Sequence, residues 1–127
     1  MKESDCKAAL VKILRGSLPA ADSRVYRHED AWTGGIPDIS ITFAGRTLWC
    51  EVKLDRPGRR GKVTELQRAS LKALGGLLLT FEVDNFGGFS ARLEDASGLE
   101  LQRFVSSSWG KADVYRQTAT FLLGRIK

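Results

Sequence analysis

The chain has 127 residues, 43% of them hydrophobic and 28% charged, which is ordinary usage for one globular domain spanning residues 1–127. It contains no long apolar run and no signal-peptide layout at its start, so we expect a cytoplasmic protein without a membrane span. Two cysteines without metal-ligand spacing exclude a disulfide framework and a zinc site. The net charge of +5 favours a polyanionic partner.

The first predicted element is an amphipathic helix over residues 3–15. Its apolar positions recur at helical spacing: Cys6, Ala9, Leu10, Ile13 and Leu14. Ser4 or Asp5 is a natural N-cap, and Gly16 fits a C-terminal stop. A short strand is predicted next, over residues 23–28.

Two strands joined by a tight turn follow. Polar and apolar side chains alternate over residues 38–43 and again over residues 48–54. With residues 44–45 as the loop, Asp38 lies directly opposite Glu51, and their Cβ atoms are roughly 5 Å apart. A three-residue loop would instead slip the register and place the two acids on opposite faces.

Two facing carboxylates need a counter-charge, because they repel by about 1 to 4 kcal/mol depending on the effective dielectric. Lys53, which shares a strand face with Glu51, can supply it, and so can a divalent cation. Carboxylate oxygens suit hard ions such as Mg²⁺ or Mn²⁺, which keep water or substrate phosphate at their other positions. The alternative is that Asp38 only begins a strand, while Glu51 and Lys53 lie on a solvated face.

The segment after this hairpin is strongly basic. Residues 54–62 predict a flexible loop with four basic side chains: Arg56, Arg59, Arg60 and Lys62. We interpret the loop as a contact for DNA phosphates. A solvated loop whose charge keeps the protein soluble is the alternative.

The next part of the chain predicts a strand–helix–strand unit. Thr64 and Gln67 form a capping box at the start of a helix that Gly75-Gly76 ends, and the apolar run 77–83 predicts a strand buried on both faces. A right-handed crossover places this strand parallel to the one that bears Glu51, so the sheet is mixed. The remaining predicted elements are strands at 89–93 and 99–104 and a helix over about 112–124.

An ordered set of short motifs resembles a known nuclease family. Gly35-Ile36-Pro37-Asp38, then thirteen residues on Glu51-Val52-Lys53, is similar to the active-site signature of the PD-(D/E)XK nuclease superfamily. With the downstream Thr64-x-x-Gln67 helix, the set resembles the virus-type replication-repair nuclease (VRR-NUC) domain. The resemblance covers roughly the first two thirds of the chain and fades after about residue 85. It implies an α/β fold of restriction-endonuclease type, with a mixed sheet flanked by helices and an α-β-β-β-α-β core.

The resemblance also implies a metal site. Asp38, Glu51 and the backbone carbonyl of Val52 would bind Mg²⁺ or Mn²⁺, and the ion would polarise the phosphodiester and lower the pKa of the attacking water. Family members commonly carry an acid on the first helix near the metal, a position that Glu3 matches. An acid there equally favours the positive end of the helix dipole, so both interpretations of Glu3 stay open.

Two further roles follow from the resemblance. Lys53 would orient the attacking water and stabilise charge on the phosphate, and Gln67 would support the site beside its capping role. The implied protein is a metal-dependent DNA endonuclease, acting as a homodimer on branched DNA such as Holliday junctions or flaps. The alternatives are a catalytically silent nucleic-acid-binding domain and a sequence-specific restriction endonuclease.

Overall fold

The computed structural model describes residues 1–28, 35–106 and 110–127. In these ranges three helices flank a six-stranded mixed sheet, whose strand order repeats the order of the strands along the chain. The elements are α1 (Glu3–Ser17), β1 (Ser23–Arg27), β2 (Ile39–Phe43), β3 (Arg46–Asp55), α2 (Glu65–Leu74), β4 (Leu77–Val83), β5 (Phe89–Asp95), β6 (Glu100–Val105) and α3 (Lys111–Ile126). The predicted α/β fold with an α-β-β-β-α-β order is confirmed. None of the described helices is long and apolar enough to cross a membrane.

The hairpin of β2 and β3 has the register that a two-residue loop predicts. Phe43 pairs with Arg46 and Ile39 with Cys50, so the next position in the ladder sets Asp38 against Glu51. Ala44 and Gly45 both have positive φ, 50° and 80°, which suits the right-handed twist of the two strands. Ala44 is the one described non-glycine residue with positive φ, a conformation in which its Cβ is crowded.

The crossover from β3 to β4 is parallel, as predicted, and α2 connects the two strands. Thr64 Oγ1 accepts a hydrogen bond from the Gln67 backbone N–H at 3.1 Å, while Gln67 Oε1 accepts one from the Thr64 N–H at 3.0 Å. Gly75 ends the helix in the left-handed region, with φ of 63°. The chain then enters β4, whose first five residues are buried.

The helices cover opposite faces of the sheet. The main core lies between the sheet and the pair formed by α1 and α3, where side chains such as Leu10, Val52 and Phe81 are fully buried. On the other face α2 packs by itself, and its buried Leu71 lies beside Gly76 near Trp49. Because side chains alternate along β3, Glu51 and Lys53 belong to the face that α2 partly covers.

The ends of α1 differ from the prediction. The N-cap is Lys2 rather than Ser4 or Asp5, because the Asp5 carboxylate accepts the Lys2 backbone N–H at 2.8 Å from the third helical position. The helix also runs through Gly16 to Ser17. Leu18, only 7% exposed, leaves the helix in an extended conformation toward the core, so no left-handed glycine is needed there.

Candidate active site

The predicted acidic pair is brought together at one end of the β2–β3 hairpin. The Asp38 backbone N–H donates to Glu51 Oε1 at 3.2 Å, and Asp38 Oδ2 accepts the Val52 N–H at 2.9 Å. Glu51 is only 1% exposed, although it is a carboxylate. Charged side chains are almost never this buried unless they are paired or functional.

The environment of Glu51 is unfavourable for its charge. Among the described residues its Oε2 atom has no hydrogen-bond partner, and the Lys53 ammonium lies 3.7 Å away. Burial, and then the negative charge of Asp38, raise the pKa of Glu51 to about 7, and the attraction of Lys53 opposes this only in part. The second oxygen of Glu51 is therefore a buried acceptor for which this part of the chain supplies no donor.

Lys53 is held tightly beside Glu51. It is 8% exposed, and the basic segment returns over it at Gly61. A Cβ added to Gly61 would lie 2.9 Å from Lys53 Cβ and 3.2 Å from the Leu54 backbone. Only glycine permits this close approach, so the basic segment is pressed against the lysine.

A second lysine, which the sequence pattern did not single out, completes the cluster. Lys7 on α1 donates from Nζ to Asp38 Oδ1 at 3.0 Å and lies 3.4 Å from Glu3 Oε1. Burial disfavours its ammonium, but the charge and hydrogen bond of Asp38, and then the charge of Glu3, outweigh that effect and raise the pKa of Lys7. The i,i+4 spacing of Glu3 and Lys7 was the available signal, although it predicts only a surface ion pair.

Glu3 reaches the cluster through Lys7. Its side chain is 36% exposed, and among the described residues its carboxylate pairs with the Lys7 ammonium. Within residues 1–28, 35–106 and 110–127, no three His, Cys, Asp or Glu side chains converge closely enough to hold a metal by themselves. The direct acidic pair is thus Asp38 and Glu51.

The residues present fit a hard divalent cation. Mg²⁺ binds through one or two carboxylates and completes its coordination with water and substrate phosphate. The buried Oε2 of Glu51, without a donor among the described residues, is an oxygen ligand of the required kind. The Val52 N–H points to Asp38, and the carbonyl of a strand residue faces the same side as its N–H, so this carbonyl also lies on the Asp38 side.

Two other polar side chains, Gln67 and His28, have structural partners. Gln67 bonds reciprocally with Thr64, and its described hydrogen bonds do not reach the acidic pair, so a catalytic role for Gln67 stays a prediction. His28 Nε2 lies 2.7 Å from Ser40 Oγ, and its ring centroid is 5.4 Å from that of Trp49. His28 is therefore a hydrogen-bonded histidine.

The basic segment lies at the same end of the sheet as the acidic pair, because β3 ends where β2 begins. Arg56 and Arg59 form a hydrogen-bonded turn, with N···O distances of 2.7 and 2.9 Å, so the predicted loop contains an ordered turn. Arg56 Nη1 also donates to the Met1 carbonyl at 3.1 Å. The exposed Lys62 follows the turn.

A groove of about 520 Å³ runs along this turn. Its lining includes three arginines of the basic segment together with charged residues of both signs. The charged side chains that line it are Asp55, Arg56, Arg59, Arg60, Glu82, Asp84 and Arg92. The structure therefore gathers three of the four predicted DNA-contacting residues in one place, beside two acids from outside their segment, Glu82 and Asp84.

Comparison of the chain with protein-family models, with curated proteins and with solved structures gives no match. The fold and the geometry of the acidic pair therefore carry the functional argument.

Proposed function

We propose that this chain is a Mg²⁺- or Mn²⁺-dependent DNA endonuclease that hydrolyses phosphodiester bonds, of the PD-(D/E)XK type and similar to VRR-NUC domains. One observation carries the proposal. Glu51 is a buried carboxylate that faces Asp38, has an oxygen without a donor among the described residues and lies 3.7 Å from Lys53.

A purely structural role does not account for this arrangement. Burying Glu51 beside a second carboxylate destabilises its charged form, which the pKa of about 7 reflects. An apolar side chain at the same position would avoid that penalty. Carboxyl groups whose pKa is strongly shifted by burial and by a neighbouring charge are typical of functional sites. A cation bound between Glu51 and Asp38 would stabilise the charged form of Glu51 that burial destabilises.

The residues would divide the chemistry as follows. Asp38, Glu51 and the Val52 carbonyl would hold the ion, which when bound polarises the phosphodiester and lowers the pKa of water. Lys53 keeps its ammonium against Glu51 and can place positive charge beside the phosphate as negative charge develops there.

The basic turn supplies a means of holding DNA. Guanidinium groups make bidentate contacts with phosphates without reading sequence, and three of them line the groove beside the site. A homodimer acting on Holliday junctions or flaps is part of this proposal and is supported by the family resemblance alone.

The test is cleavage of labelled single-stranded, duplex, flap and four-way-junction DNA with Mg²⁺, Mn²⁺ or EDTA. Asp38→Asn and Lys53→Met remove the two charges with little change of shape, and Lys12→Met, an exposed lysine on α1, is the matched control. We expect metal-dependent cutting that both site variants abolish and the control retains. If the wild type and every variant bind DNA but none of them cuts it, the protein is a catalytically silent nucleic-acid-binding domain and the nuclease proposal is wrong. Cutting confined to one duplex sequence would indicate a restriction-type enzyme.

A further inference from the structure

Lys7 lies where a positive charge competes directly with a metal ion. Its ammonium is 3.0 Å from Asp38 Oδ1, and the other oxygen of Asp38 already accepts the Val52 N–H. Each Asp38 oxygen thus accepts one hydrogen bond, and each keeps a lone pair for a ligand. A cation bound to either oxygen would lie within a few ångströms of the Lys7 ammonium, which repels it.

We propose that Lys7 is the counter-cation of the metal-free site: it neutralises Asp38 until a divalent ion arrives, must leave Asp38 for the ion to bind, and so sets the metal affinity. This inference rests on the proposed metal-dependent function. It assigns to a residue on α1 a role in loading the site rather than in the chemical step.

The surroundings of Lys7 allow such a move. The side chain is 17% exposed and carries a compact charge on a flexible four-carbon stem. Glu3, 3.4 Å from the ammonium and more exposed than Asp38, offers an alternative partner one helical turn away. Lys53 is less suited to this exchange, because Gly61 closes over it and it faces Glu51 rather than Asp38.

Glu3 then has a defined part in the exchange. It does not need to touch the metal, because it receives the ammonium that the metal displaces. Neutralising Glu3 would leave Asp38 as the acidic partner of Lys7 among the described residues, and the lysine would compete more strongly with the ion.

The test is a calorimetric titration of the full chain with Mn²⁺, without DNA, at about pH 8, where Glu51 is mostly ionised given its pKa of about 7. Lys7→Met removes the charge and keeps the length, Lys7→Arg keeps the charge, and Lys12→Met removes an exposed charge from the same helix. In the wild type the ion must displace the charged hydrogen bond between Lys7 and Asp38, and in Lys7→Met it does not. We therefore expect Lys7→Met to bind Mn²⁺ about tenfold more tightly than the wild type. The Mn²⁺ affinity of Lys7→Arg and Lys12→Met should stay within about threefold of the wild-type affinity, because both variants keep a positive charge beside Asp38.

The outcomes separate this inference from the function on which it rests. The role of Lys7 is wrong if Lys7→Met binds Mn²⁺ with wild-type affinity, or if Lys12→Met binds it as much more tightly as Lys7→Met does. Either result leaves the nuclease proposal intact. No Mn²⁺ binding by any variant overturns both.

The part assigned to Glu3 is tested in two backgrounds. Glu3→Gln should weaken Mn²⁺ binding in the wild type and leave it unchanged in Lys7→Met. An equal loss in both backgrounds overturns the part of Glu3 in the exchange, since a direct ligand behaves in that way.

Discussion

Replacing Glu51 with Gln should stabilise the metal-free protein at alkaline pH. The change removes a buried charge and keeps both the shape of the side chain and an acceptor for the Asp38 N–H. Burial, and then the charge of Asp38, raise the pKa of Glu51 from its ordinary 4.5 to about 7, so the folded protein retains a proton that the unfolded chain has released.

The sign and size of the effect follow from this difference. Between pH 4.5 and about 7 the native state binds more protons than the unfolded state, so the Glu51 contribution to stability falls as pH rises through this window. The full difference corresponds to about 3 kcal/mol, at about 1.4 kcal/mol for each tenfold change in proton affinity. We therefore expect Glu51→Gln to match the wild type near pH 4 and to exceed it by about 3 kcal/mol near pH 8, or about 10 °C in melting temperature.

The assay is urea unfolding in EDTA between about pH 4 and pH 8, followed by circular dichroism, with Glu82→Gln on the adjoining strand as the matched control. Subtracting the two curves isolates Glu51 from the other titrating groups. Adding Mg²⁺ should reverse the order, because only the wild type gains the binding free energy of the ion. The reasoning is refuted if Glu51→Gln keeps the wild-type pH dependence or is the less stable protein at pH 8.

Three further predictions concern the segments around the site. Gly61→Ala should lower the free energy of unfolding by about 1 to 3 kcal/mol in urea titrations, because its Cβ would lie 2.9 Å from that of Lys53, and an unchanged midpoint would contradict this contact. Gln67→Ala should lose about 1 kcal/mol with the capping box while turnover per folded molecule stays normal, and a loss of turnover without a loss of stability would give Gln67 a catalytic part. Removing Arg59 and Arg60 should reduce the slope of log binding constant against log salt by about 2 for duplex DNA, measured by fluorescence anisotropy, and an unchanged slope would exclude phosphate contacts there.

Local rules were sufficient for the part of the site that lies on the hairpin. A two-residue loop and a side-chain period of two fix the register, so the meeting of Asp38 and Glu51 could be predicted without knowledge of the rest of the fold. The same holds for the capping box at Thr64 and the left-handed Gly75, since each depends on residues within one turn.

The position of Lys7 could not be predicted in this way. The apolar periodicity of α1 identifies the side that is buried, but the face of the sheet that receives the helix depends on contacts with distant strands and with α3. The ends of α1 were also not predictable from residue preferences alone. The hydrogen bond from the Lys2 N–H to Asp5 makes Lys2 the N-cap in place of Ser4, and the burial of Leu18 lets the helix continue past Gly16. Two acids in the arginine groove, Glu82 and Asp84, come from β4 and the turn after it, which sequence spacing does not connect to the basic turn.

The order of the strands in the sheet predicts which parts of the candidate site form first during folding. Each strand pairs with its neighbour along the chain, so the acidic hairpin closes a short loop and can form early. Helix α1, which carries Lys7, packs side by side with α3, and this contact joins segments separated by nearly the whole chain. We expect the facing acids to form first and their counter-charge on α1 to be secured last, a delay that short pulses of hydrogen exchange during refolding would detect as late protection of α1.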